Sequence, residues 1–132
     1  MEFNSQKIYL IDTNIFLEIL FLQDKAEDCY LLFDKIENGE IKAYVTNFTL
    51  FSISVIASRN KISNEIFCAF MNIIKNIKSL EVFDISVDFL EYIYGLIVES
   101  NLDFDDTLQF AVAKTLKIPI ITFDKDFKKV DI

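Results

Sequence analysis

Asp12, Asp106 and Asp124 are the side chains of this sequence best placed to do chemistry together. Each ends an apolar, strand-like run or opens a helix-like one: Ile8-Tyr9-Leu10-Ile11-Asp12-Thr13-Asn14, Asp103-Phe104-Asp105-Asp106 and Ile120-Ile121-Thr122-Phe123-Asp124. In an open parallel sheet the carboxyl ends of the strands share one edge, where ligands bind, so acids remote in sequence can converge there. Two carboxylates ~5 Å apart at an effective dielectric of ~20 repel by roughly 3 kcal/mol, and a bound cation relieves that repulsion. The chain has no histidine, and in the predicted layout its cysteines lie away from the acids. The chemistry expected is therefore a site for Mg²⁺ or Mn²⁺, which take oxygen ligands, and not for zinc. Taken singly, each acid has a plainer role: Asp12 as a helix cap, Asp106 as a partner of a helix dipole, Asp124 as a turn residue.

The elements that must position these acids are legible as short strands alternating with helices. Ile8 to Ile11 is a continuous apolar run, as in a strand buried on both faces. Helices are predicted over Ile15 to Leu22 and Lys25 to Glu37, the latter with Ala26, Tyr30, Phe33 and Ile36 at helical spacing and Asn38-Gly39 as its stop. Ala43 to Val45 is a strand. Thr46 caps a helix through Phe48, Phe51, Val55 and Ala57, and Ser63 caps another through Ile66, Phe70, Ile73, Ile74 and Ile77. Glu81 to Ile85 is a strand, and Ser86 caps a helix with Val87, Leu90, Ile93, Tyr94 and Ile97 on one face. Phe104, Leu108, Ala111, Val112 and Leu116 make a further stripe, followed by a strand from Pro119 to Thr122 and a short edge strand from Val130 to Ile132. This alternation is the signature of an α/β domain with a mostly parallel sheet.

At 132 residues, 52% hydrophobic and with fourteen Phe, the chain can bury one core without staples. No linker or repeat interrupts it, so residues 1–132 read as a single domain. Cys29 and Cys68 fall in apolar helix-like runs and are expected to be buried thiols of a reducing, cytoplasmic setting. No apolar run approaches the ~20 residues that span a bilayer, and no secretory signal opens the chain, so no membrane partner is expected. The net charge of −8 repels nucleic acid as a whole. Chemistry on a nucleic acid therefore needs a bound metal or a local basic rim, for which Arg59, Lys61, Lys125, Lys128 and Lys129 are candidates.

Three stretches of the chain resemble, in order, the acidic motifs of the PIN-domain family. They are Leu10-Ile11-Asp12-Thr13-Asn14, Asp106-Thr107-Leu108-Gln109-Phe110-Ala111 and Thr122-Phe123-Asp124-Lys125-Asp126-Phe127. The resemblance spans nearly the whole chain. It implies a three-layer α/β/α sandwich with a mostly parallel central sheet of four or five strands, and metal-dependent cleavage of RNA phosphodiesters. Many relatives are toxins of VapC-type toxin–antitoxin pairs and form homodimers, so an antitoxin protein and a second copy are implied partners. By match of motif Asp12, Asp106 and Asp124 are the catalytic metal-site acids, with Asp126 a further metal candidate. Thr13, Asn14 and Thr122 then orient the carboxylates or water.

One position departs from the family pattern. Ser52, in Val45-Thr46-Asn47-Phe48-Thr49-Leu50-Phe51-Ser52-Ile53, stands where a Glu is expected. A serine can hold water but brings no charge, so the site carries about three acidic charges in place of four and binds metal more weakly. Glu18 lies too far down its helix to substitute, and Asp105 reads as a helix-start residue. The alternative to a ribonuclease is thus a weak or inactive PIN-fold binding or assembly module. A receiver-like phospho-acceptor domain fits less well, for no acid pair stands near Asp12 and Asp84 is followed by more apolar residues.

Overall fold

The computed structural model describes residues 8–100 and 103–123. Their order is β1 (Ile8–Ile11), α1 (Thr13–Leu20), α2 (Ala26–Glu37), β2 (Lys42–Thr46), α3 (Asn47–Arg59), α4 (Asn64–Asn76), β3 (Leu80–Phe83), α5 (Val87–Glu99), α6 (Phe104–Leu116) and β4 (Ile120–Ile121). Among the described residues the sheet has four strands, all parallel, in the order β3-β2-β1-β4. The chain winds outward from β1 to β3, then returns to the opposite side of β1 with β4. The direction reverses between β1 and β4, which makes the carboxyl ends of these two strands the crevice of the fold.

Side chains alternate across this sheet with the period of two that strands impose. Ile11, Ala43, Val45 and Leu80 join a core built with α1, α2, α3 and α4, around Phe16, Leu32, Ile36 and Ile53. Leu10, Tyr44, Phe83 and Ile120 face the other way, onto Ile93 of α5 and Leu108, Ala111 and Val112 of α6. Two helical layers therefore enclose the sheet, the expected three-layer α/β/α sandwich with a parallel sheet.

Local chemistry sets the ends of the elements. Thr46, Ser63 and Ser86 cap their helices, accepting from the backbone N–H of Thr49, Ile66 and Phe89. α1 ends at Leu20, two residues before the expected stop at Leu22, which takes φ 50°. The third strand runs over Leu80–Phe83 and not to Ile85, because the Ile85 N–H leaves the ladder to donate to Asn47 Oδ1 at 3.0 Å. The proposed edge strand from Val130 to Ile132 lies outside the described residues.

Several helix faces differ from the expected ones. α3 buries Thr49, Ile53 and Ala57, leaving Phe51 67% and Val55 48% exposed. α5 buries Ile93 but exposes Val87, Tyr94 and Val98. α2 turns in Cys29 and Leu32 while Tyr30 faces out. Cys29 is buried as expected, whereas Cys68 is exposed on α4, its Sγ 3.4 Å from Asn64 Oδ1.

Candidate active site at the carboxyl edge of the sheet

Asp12 stands where β1 stops and α1 starts. Its backbone N–H donates to the Ile121 carbonyl at 3.0 Å, fixing it against the end of β4. The side chain is 8% exposed, and both of its oxygens have donors. Oδ1 accepts from the Thr13 N–H at 2.8 Å, as cap of α1. Oδ2 accepts from the Thr122 hydroxyl at 2.6 Å, the short distance of a hydrogen bond to a carboxylate. Thr122 Oγ1 in turn takes the Asn14 Nδ2–H at 3.3 Å. The direction of donation is thus fixed from Asn14 through Thr122 to Asp12, and it holds the carboxylate in one orientation at the crevice.

A second set of polar groups ties three helices beneath this edge. Thr49, fully buried at the start of α3, has its Oγ1 2.9 Å from Thr13 Oγ1, 3.3 Å from Thr46 Oγ1 and 2.9 Å from Gln109 Nε2. Gln109 cannot accept through its nitrogen, so it donates to Thr49, as does Thr46, leaving Thr49 to donate to Thr13. Asp106 lies one turn before Gln109 on the same face of α6, so α6 is anchored to the element that carries Asp12. Asp103, and not Asp106, caps α6 by accepting the Asp106 N–H at 2.9 Å. Asp105 beside it is largely exposed; the loss of part of its solvation, then the charge of Asp103, raises its carboxyl from its ordinary value.

Of the residues singled out in the sequence, the structure thus gathers Asp12, Thr13, Asn14 and Thr122 into one hydrogen-bonded group. Asp106 is joined to them through α6 and Thr49. Ser52 sits half-buried on α3, one turn beyond Thr49. Asp124 and Asp126 lie outside the described residues, as do Lys125, Lys128 and Lys129. Among the described residues no three His, Cys, Asp or Glu side chains gather closely enough to hold a metal ion. Glu18 accepts the Lys25 N–H at 2.9 Å and lines a pocket with Asn14. Arg59 and Lys61 are at the far end of α3, roughly 15 Å along its axis from Thr49. Asn60, between them, lines a pocket with Asn14 and Glu18. A cation at the right edge is Lys25, whose Nζ stands 4.3 Å over the Phe123 ring next to Thr122.

Sequence reasoning overlooked Thr49 and Gln109. Each is a polar residue on an inward helix face, and no local signal marks that face, because the partners of Thr49 and Gln109 lie on other elements. Two buried amide oxygens, Asn14 Oδ1 and Gln109 Oε1, have no hydrogen-bond partner among the described residues. Neutral oxygens are among the ligands and acceptors that Mg²⁺ or Mn²⁺ and their bound waters take.

The comparisons with known proteins agree with this architecture. The fold is similar to that of Mycobacterium tuberculosis VapC20, described as a sarcin–ricin loop cleaving toxin, at 19% identity and TM-score 0.74 over 93% of this chain and 94% of that one. It is similar to a chain of VapBC2 from Rickettsia felis bound to a promoter DNA fragment, at 19% identity and TM-score 0.71 over 93% and 92%. A toxin–antitoxin complex from Klebsiella pneumoniae contains a similar chain, at 20% identity and TM-score 0.66 over 92% of each. No curated protein matches the chain in sequence. The PIN domain profile matches residues 9–132, so the chain belongs to the PIN domain family.

Proposed function

We propose that this chain, acting as one domain over residues 1–132, is a Mg²⁺- or Mn²⁺-dependent ribonuclease that cleaves RNA phosphodiesters as the toxin of a toxin–antitoxin pair. The observation that carries this reading is Asp12: a nearly buried carboxylate, held at both oxygens, at the strand-reversal crevice of a PIN domain. The toxins and toxin–antitoxin complexes among the similar structures support the toxin assignment. Asp12, Asp106 and Asp124 would hold the cation, with Asp126 a further ligand. A bound divalent cation supplies Lewis acidity to the phosphate and makes water a nucleophile at neutral pH.

The chain's own residues do the rest. Thr13 and Thr122 fix the Asp12 carboxylate, and Asn14 fixes Thr122. The Thr46, Thr49 and Gln109 hydrogen bonds tie α1, α3 and α6 together, which would hold Asp106 at the same edge. Lys25 places positive charge beside that edge in a chain of net charge −8. No helix among the described residues is long and apolar enough to cross a membrane, and the proposed RNA substrate would be met in the cytoplasm. The outward apolar residues Phe51 and Val55 of α3 and Val87, Tyr94 and Val98 of α5 offer surface for a homodimer or an antitoxin helix.

The test is cleavage of a structured RNA by the purified chain. Cleavage that needs Mn²⁺ or Mg²⁺, stops with EDTA and is lost in Asp12→Asn supports the reading. Cleavage that persists in Asp12→Asn contradicts it. Ser52 favours a second reading, a PIN fold kept for binding or assembly, because it adds no charge where the family pattern has a carboxylate. Calorimetric titration separates the two: no Mn²⁺ binding in the wild type, with binding gained in Ser52→Glu, would support the binding module.

A further inference from the structure

Gln109 is a costly residue for its place. It is 2% exposed, on a helix face shared with Leu108, Ala111 and Val112. A methionine would fill the same volume with no polar atom to satisfy. An amide has two N–H donors and a carbonyl acceptor. Here one donor is used, on Thr49 Oγ1 at 2.9 Å, while Oε1 is buried and has no partner among the described residues. A buried acceptor left unpaired disfavours folding, and such an atom in a folded protein calls for an ion, water or ligand that satisfies it.

The partners of the amide nitrogen indicate what that group is. The amide nitrogen is pinned to Thr49, whose hydroxyl is 2.9 Å from Thr13 Oγ1, next to Asp12. Asp106 is one turn away on the same side of α6, and Ser52 is one turn beyond Thr49 on α3. The Gln109 amide therefore sits among the elements carrying Asp12, Asp106 and Ser52. On the other side of Asp12, Asn14 repeats the arrangement: its nitrogen is tied to Thr122, and Oδ1 is buried without a partner.

We propose that Gln109 is a positioning residue for the divalent cation: its Oε1 accepts a hydrogen bond from the cation's hydration shell, supplying a neutral acceptor where position 52 brings no carboxylate. This rests on the metal-site reading above and extends it to a residue outside the acidic motifs. Mg²⁺ retains several waters when bound, so an acceptor of this kind has something to hold.

Two measurements on the full chain test it. In an NMR titration of the ¹⁵N-labelled wild type with Mg²⁺, the side-chain amide signals of Gln109 should move with the same midpoint as the backbone amides of Thr13 and Thr107, while those of Asn72 on α4 stay fixed. Gln109→Met should weaken Mg²⁺ binding about tenfold, as loss of an outer-shell partner does. The gap in thermal midpoint between Gln109→Met and wild type should widen when Mg²⁺ is added, since only binding to the folded state is weakened. A gap that is the same with and without Mg²⁺, or Gln109 signals that stay still while Thr13 and Thr107 move, overturns this inference and leaves the metal site standing. If no signal near Asp12 or Asp106 responds to Mg²⁺, both readings fail. Should Gln109→Met not fold, the wild-type titration decides alone.

Discussion

Thr122 connects Asp12 to Asn14, donating to one and accepting from the other, so its hydroxyl does what neither neighbour can do for itself. Thr122→Val keeps the shape and removes both hydrogen bonds. We expect it to cost about 1–3 kcal/mol of stability, through the buried groups left unpaired, and to weaken Mn²⁺ binding about tenfold or more; denaturant melts and calorimetry check the two effects. Ser52→Glu should act in the opposite sense and tighten Mn²⁺ binding, because it adds a charge beside the Asp12 and Asp106 elements. Unchanged affinity in that variant would show that position 52 does not face the cation. The cysteines give a third test. Burial, then the charges of Glu18 and Asp28, push the Cys29 thiol up to about 11. In the folded chain it stays protonated until pH approaches that value, while an unfolded thiol ionises nearer 9, so Cys29 favours folding below pH 9 and ceases to do so as pH rises through 11. At pH 8 a maleimide should label exposed Cys68 rapidly and Cys29 only on unfolding, read by mass spectrometry.

Helix starts carry the proposed site, and they are also where local sequence speaks most clearly. Asp12, Thr46 and Asp103 each cap the helix whose first turn holds a residue of the site. Asp103→Ala should cost about 1 kcal/mol by loss of the α6 cap, and should lower metal affinity as well, because the same bond fixes the Asp106 backbone. Ser63→Ala, at the cap of α4 far from the crevice, should show a similar stability loss with unchanged affinity. β1 and the caps at Thr46, Ser63 and Ser86 were readable because a side chain and its own neighbours decide them. The inward faces were not. With fourteen Phe in the chain, apolar residues recur on several faces of a helix, and spacing alone does not choose among them. In α3 the inward face carries Thr49, because three elements meet there and their hydroxyl and amide groups satisfy one another; Phe51 and Val55 are turned out as a result. Gln109 was hidden for the same reason, since its partner is sixty residues away.

At the scale of the whole molecule, strand order explains why residues 12 and 122 meet: β4 returns to the free side of β1, so the ends of the first and last described strands are neighbours. The parallel α/β class was legible in the alternation of short apolar runs and helices, whereas the choice of which strands are adjacent is made by packing across the sheet. The exposed apolar residues of α3 and α5 predict self-association. Light scattering at tens of micromolar should give twice the monomer mass, and Phe51→Glu with Tyr94→Glu should return it to the monomer without loss of fold. We infer above all that the carboxyl edge of this sheet holds a hard divalent cation. Crystals soaked in Mn²⁺ and measured at the manganese absorption edge decide it. An anomalous peak about 2.1 Å from oxygens of both Asp12 and Asp106 is the predicted result; a map with no peak at that crevice, at a Mn²⁺ concentration that supports cleavage, would contradict it.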